Sequence, residues 1–165
     1  MTETTYVLDA NVFMEAARNY YAFDLGSRFW ECLEQNAASG RVRSIDRVKD
    51  EIDKGHDDLA EWASKRWSEA FASTDDLKVI AAFREIMTWV QSQDRFTPAA
   101  KTQFATCADG WLVAYARVHG GTVVTHERPS ADAKNRVKIP NVCDAFTVPY
   151  ANTYDMLRGL GARLG

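Results

Sequence analysis

No stretch of this chain approaches the roughly 20 consecutive apolar residues that a helix needs to cross a bilayer. The opening residues, Met1-Thr2-Glu3-Thr4, lack the basic region of a secretory leader. Cysteine is scarce: Cys32, Cys107 and Cys143 are odd in number and widely spaced. That spacing argues against a disulfide framework or a thiolate zinc site and for reduced thiols. The three histidines, His56, His119 and His126, show no paired ligand spacing. There are no repeats, low-complexity stretches or evident linkers. Nor is there an excess of positive charge, since 20 basic residues face 23 acidic ones for a net charge of −3. A strong positive field that coats nucleic acid is thereby excluded. A nucleic-acid ligand would have to be held by local basic patches, with metal ions offsetting an acidic centre. These absences lead to the expectation of one cytoplasmic domain, residues 1–165, with no membrane association.

What is present suits a globular fold. The hydrophobic fraction of 46% is enough for a sizeable core at a length of 165 residues. Residues 5–8 read as a buried strand ending at Asp9, with Asn11 placed to cap the following helix. A second helix is expected over 23–38, stopped near Gly40. Val42-Arg43-Ser44-Ile45 alternates as a strand, and Asp46 caps the next helix up to Gly55. Residues 57–72 are amphipathic. Thr74 and Asp75 open a long helix to about Gln91, and Thr97-Pro98 opens another that runs through Ala108 and Trp111 to Gly120-Gly121. Thr122–Thr125 is a second buried strand, 126–138 a polar loop and 139–146 a short helix or turn. Thr147–Tyr150 reads as a last strand, with Asn152 or Thr153 capping a terminal helix. Strands alternating with helices predict an α/β fold, a three-layer α/β/α sandwich around a short, mostly parallel sheet.

Four acidic residues fall at strand ends or on helix flanks. Asp9 ends the first strand, where open α/β sheets bind ligands. Glu51 lies at the edge of the face defined by Ile45, Val48 and Ile52. Asp109 flanks the stripe of Ala105, Leu112 and Ala116, and the adjacent Gly110 suggests a close approach. Glu127 follows the strand that ends at Thr125. If these groups converge, their repulsion is costly unless cations bind. Oxygen donors with room for water suit Mg²⁺ or Mn²⁺, one or two of which can support phosphodiester cleavage. By spacing alone, Asn11 reads as a helix cap and Thr125 as a strand-end hydrogen-bonding residue.

In this order the motifs resemble those of the PIN-domain family of metal-dependent ribonucleases. The pieces are Val7-Leu8-Asp9-Ala10-Asn11-Val12, Val48-Lys49-Asp50-Glu51-Ile52, Ala108-Asp109 with Leu112 and Ala114, and Val124-Thr125-His126-Glu127. The stretches from Lys54 to Trp62 and from Lys138 to Cys143 look like a branch labelled only as a domain of unknown function, similar to the VapC-type toxins. The resemblance spans nearly the whole chain. It implies a PIN-like, Rossmannoid fold with Asp9, Glu51, Asp109 and Glu127 as catalytic and metal-ligating positions. Glu127 is a departure, because many members carry aspartate there. Asn11 and Thr125 match supporting polar positions. The resemblance also implies Mg²⁺ or Mn²⁺ and hydrolysis of single-stranded or looped RNA. For the toxin relatives it implies a homodimer and a cognate antitoxin.

Basic residues cluster at Arg41, Arg43, Arg47 and Lys49, and again at Lys134, Arg136 and Lys138. The second cluster, in the loop after Glu127, is the candidate for holding an RNA backbone. Trp62, Trp67, Trp89 and Trp111 fall at apolar helical spacings and are expected in the core or a dimer interface. Asp132 and Asp144 are reserve carboxylates. Two other functions stay open: a phosphatase or phosphotransferase with Asp9 as nucleophile, disfavoured because Asn11 stands where such enzymes place a second aspartate, and a catalytically inert binding module of the same fold.

Overall fold

In the computed structural model, which describes residues 4–164, the chain builds a five-stranded sheet of order β3-β2-β1-β4-β5. Met1–Glu3, read above as lacking a leader's basic region, lie outside the described residues. Every neighbouring pair is parallel, so the sheet is wholly and not just mostly parallel. The strands are β1 (Tyr6–Leu8), β2 (Val42–Ile45), β3 (Phe71–Ala72), β4 (Thr122–Val124) and β5 (Tyr150–Ala151). Among the described residues no helix is long and apolar enough to cross a membrane.

The central strands read as unbroken apolar runs because helices cover both faces of the sheet. Val7, Leu8, Val123 and Val124 are fully buried, each contributing roughly 1.5–3 kcal/mol relative to exposure. The chain enters α1 (Ala10–Glu15), which runs on as a π-helical turn over Ala16–Tyr20. Then come α2 (Ser27–Ala38), α3 (Asp46–Asp53), α4 (Asp58–Arg66) and α5 (Leu77–Ser92). Next are α6 (Pro98–Thr106), α7 (Asp109–His119), α8 (Ile139–Ala145) and α9 (Thr153–Gly159). The three-layer PIN-like sandwich expected from the sequence is the observed architecture.

Several boundaries differ from the sequence reading. The second helix begins at Ser27, not residue 23: Phe23 lies in the preceding turn, where its ring stacks on Trp30 at 4.3 Å. The stretch 57–72 is not one amphipathic element. It is α4, a 3₁₀ turn over Ser68–Ala70 and the edge strand β3. Asp9, not Asn11, occupies the N-cap position of α1, and Asp76 caps α5 through the Lys78 and Val79 amides. Asp46 begins α3 and joins Thr74 by a 2.8 Å hydrogen bond, tying α3 to the β3–α5 connection. Gly120, in the left-handed region at φ 70°, ends α7 where other residues would be strained.

The largest departure is the break between α6 and α7. Cys107 adopts an extended conformation (φ −100°, ψ 174°), so a new helix starts at Asp109. The apolar spacing of Phe104, Ala108, Trp111 and Leu112 hides this break in the sequence. The side chains of Trp62 and Trp67 lie in the core around Phe13, while Trp111 stacks on Phe83 at 3.9 Å beneath the Arg47 guanidinium.

Candidate metal centre and adjoining basic cavity

The carboxyl edge of the sheet is where the acidic residues meet. The amide of Asp9 donates to the Val124 carbonyl at 3.0 Å, and the amide of Thr125 donates to the Ala151 carbonyl at 3.0 Å. These last rungs of the sheet fix Asp9 and Thr125 side by side just past β1 and β4. The Thr125 hydroxyl donates to Asp9 Oδ2 at 3.1 Å and accepts from the Glu127 amide at 3.1 Å. Thr125 is therefore a strut between two candidate ligands. Ser44 on β2 adds a buried hydrogen bond to the Leu8 carbonyl at 2.7 Å, immobilising the strand end that presents Asp9.

Asp109 enters from the first turn of α7, where the helix dipole favours a negative charge. Glu51 reaches across from α3, its Oε1 accepting the Ala108 amide at 3.0 Å. That contact spans 57 positions of sequence and serves the start of α7 as a cap, since Ala108 has no capping side chain of its own. Gly110 lies against Met87, Phe104 and Phe83, where an added Cβ would come within 3.0–3.1 Å. The close approach expected there is thus packing of α7 on α5, not a ligand.

Electrostatics tie the group together. Burial pushes the Asp9 carboxyl from its ordinary 3.8 up to about 8, and the charges of Asp109 and Glu127 push the same way. Hydrogen bonding from Thr125 and the Asn11 backbone opposes the rise only in part. Asp109 is raised to about 7 by burial, then by Glu127 and Glu51, while the Arg136 guanidinium and the Cys107 side chain pull it down. Asp9 therefore feels Asp109 and Glu127, and Asp109 feels Glu127 and Glu51. Asp9 and Asp109 are 2% and 9% exposed.

Glu127 is the most constrained. Its Oε2 accepts the Ile139 amide at 2.8 Å, and Arg136 Nη2 lies 2.7 Å from Oε1. That ion pair is not aligned as a hydrogen bond, so the buried Oε1 lacks a hydrogen-bond donor. Among the described residues no three His, Cys, Asp or Glu side chains form a ready cage for an ion. The physical reason is that Glu51 and Glu127 are turned onto protein amides. The donor set nevertheless fits a hard divalent cation: buried carboxylates that repel one another, one with an unsatisfied oxygen, and a single guanidinium among them.

Asn11 is exposed and lines a cavity of about 410 Å³ with Glu15, Arg128, Arg136 and Lys138. Two of the three expected backbone-binding residues, Arg136 and Lys138, are there. Lys134 does not line it, and its carbonyl instead accepts the Thr97 amide at 3.0 Å. Arg128 does line it and was missed, although its place directly after Glu127 was the available signal. The other basic cluster is dispersed: Lys49 pairs with Asp53 at 2.7 Å, Arg43 lines a separate cavity with Glu34 and Arg66, and Arg47 covers Trp111. Asp132 and Asp144 are exposed, and Asp144 acts on Cys143 and Tyr150 instead of the centre. The three cysteines are free thiols.

A family model described as "Domain of unknown function (DUF4411)" matches residues 6–164. No curated protein matches the chain. Among solved structures, the chain is similar to one in the crystal structure of FitAcB from Neisseria gonorrhoeae. The two are 17% identical with a TM-score of 0.57, over 91% of this chain and 99% of that one. It is also similar to a chain in the crystal structure of VapBC2 from Rickettsia felis bound to a DNA fragment from their promoter. That pair is 14% identical with a TM-score of 0.54, over 90% and 98% of the respective chains. At these identities the likeness is one of fold.

Proposed function

The chain belongs to the DUF4411 family, and we propose that this member is an Mg²⁺- or Mn²⁺-dependent endoribonuclease acting as the toxin of a toxin–antitoxin pair. The observation that carries the reading is the repulsion that Asp109 and Glu127 exert on buried Asp9, and Glu127 and Glu51 on Asp109, from separate segments at the carboxyl edge of one parallel sheet. A fold pays for such a cluster in stability, and a cation offsets that cost. The fold likeness to chains of FitAcB and VapBC2, and the motif resemblance to VapC-type toxins, favour the toxin role over a housekeeping nuclease.

In this reading Asp9, Glu51, Asp109 and Glu127 would hold the ion. The bound ion supplies charge neutralisation at the phosphoryl group and activation of the attacking water. Thr125 keeps the Asp9 carboxylate aimed out of the strand end. Arg128, Arg136 and Lys138 hold the RNA phosphates beside the carboxylates. Water adds to phosphorus, one ester bond breaks and the leaving oxygen takes a proton. Asn11 stands where aspartyl-nucleophile enzymes place a second aspartate, which disfavours that alternative.

The test is RNA cleavage with Mn²⁺ or Mg²⁺ against excess chelator, with Asp9→Asn and Asp109→Asn as controls. Cleavage that requires the ion and disappears in both variants supports the reading. Full cleavage in chelator sinks it, and a folded protein that takes up no Mn²⁺ is the inert module. The partner half of the proposal predicts that the product of an adjacent small gene binds the protein and suppresses cleavage. Sedimentation of the protein alone tests the homodimer.

A further inference from the structure

Glu127 lines a second cavity besides the basic one. It is about 360 Å³ and includes Pro129, Tyr150, Asn152 and Tyr154 in its lining. The two cavities share His126, Glu127 and Arg128. His126 lines both and is held in place at their junction. Its Nε2 lies 3.2 Å from Thr153 Oγ1 on α9 and 3.5 Å from Glu15 Oε2 on α1. The surface is therefore one groove with a cationic limb of Arg128, Arg136 and Lys138, an aromatic limb of Tyr150 and Tyr154, and Glu127 at the junction.

Tyr154 is 53% exposed, one of few large hydrophobic side chains left open. Half of its ring surface contributes nothing to folding. A planar ring that lines the same cavity as Arg128 suits a nucleobase, because every base has a π-face and stacking needs no sequence code. An internal base of a duplex, stacked on both faces, cannot lie on such a ring without leaving the stack.

We propose that the two limbs form one binding groove for single-stranded RNA, in which Arg128 holds a phosphate beside the carboxylates and Tyr154 stacks the neighbouring unpaired base. The inference rests on the RNA-hydrolase reading for the identity of the ligand. Its test is independent of cleavage.

The experiment is fluorescence anisotropy of the full chain, in chelator, with a labelled unstructured RNA of about 12 nucleotides. Tyr154→Ala should weaken binding about thirtyfold, the middle of the range for loss of one base stack. Tyr154→Phe, which keeps the ring, should bind within about twofold of the parent protein. Arg128→Ala should reduce the slope of log affinity against log salt by about 0.7, the loss of one phosphate contact to a single strand. A blunt duplex of the same sequence should bind at least about tenfold more weakly. Thermal unfolding checks that each variant remains folded, as the exposure of both side chains leads us to expect.

The proposal is overturned if Tyr154→Ala binds like the parent protein, if Tyr154→Phe loses as much as Tyr154→Ala, if the duplex binds as tightly, or if the parent protein binds no RNA. If the expected dependences appear but no RNA is cut with Mn²⁺, the groove stands and the hydrolase reading falls. If RNA is cut with Mn²⁺ and binding ignores Tyr154, the groove falls and the hydrolase reading stands.

Discussion

Replacing Asp9 by asparagine should make the metal-free protein more stable at neutral and alkaline pH, although Asp9 is among the most buried polar residues of the chain. Its carboxyl is raised from 3.8 to about 8, chiefly by burial and then by Asp109 and Glu127. Below pH 3.8 the folded and unfolded chains both hold the proton. As pH rises through 3.8 the unfolded chain releases it while the folded chain keeps it. The unfolded state then binds fewer protons, so stability falls with pH until Asp9 also ionises in the fold near pH 8. The slope is at most about 1.4 kcal/mol per pH unit for one proton, which caps the loss at about 6 kcal/mol over this window. Asp109, raised to about 7, shares in the same repulsion, and an amide at position 9 still offers Thr125 an acceptor. We therefore expect about 3 kcal/mol in favour of Asp9→Asn at pH 8, about half of that ceiling. Urea denaturation in chelator between about pH 5 and pH 8 measures it: wild type should lose stability across the window, and the variant should lose markedly less. Parallel curves, or a variant less stable than wild type at pH 8, would refute the claim that ionised Asp9 is an electrostatic burden on the fold.

Other perturbations separate the roles of neighbouring residues. Arg136→Gln removes the cation that sits 2.7 Å from Glu127, so Mn²⁺ should bind about tenfold more tightly by calorimetry, a value reduced for the exposure of the guanidinium; unchanged or weaker binding would show that Arg136 does not compete with the ion. Glu51→Ala leaves the Ala108 amide without its acceptor and should cost about 1–2 kcal/mol in chelator, while Glu51→Gln should retain most of that stability. Phe104→Ala, at a fully buried position, should cost about 3–5 kcal/mol with little change in the dependence on urea. Burial pushes the Cys143 thiol up to about 12, so it should resist iodoacetamide at pH 8 in the native protein and react once urea unfolds it.

The parts of the fold that were legible in the sequence are those set by local pattern. β1 and β4 are apolar runs with polar ends, β2 alternates, and Thr97 and Asn152 cap their helices through their own side chains. What was hidden depends on distant partners. The break at Cys107–Ala108 is held by Glu51, and no local residue marks it because the apolar spacing continues across it. β3 has only two residues and exists by pairing with β2. At the site, the places of Asp9, Glu51, Asp109 and Glu127 at strand ends and helix flanks were legible, and which of them act on one another was not. Nor was the engagement of Glu127 by Arg136 and the Ile139 amide, since it depends on how the 126–138 loop returns over the sheet edge. The same loop geometry brings Arg128 to the cavity and leaves Lys134 out of it.

The central claim is that carboxylates from four segments form a divalent-cation centre. Anomalous diffraction at the manganese edge from Mn²⁺-soaked crystals tests it most directly. The account predicts a peak bound by Asp9 and Asp109, at about 2.0–2.4 Å from their oxygens, with the Glu127 carboxylate turned from Arg136 toward the ion. A soaked crystal with manganese elsewhere but none between Asp9 and Asp109 would contradict it.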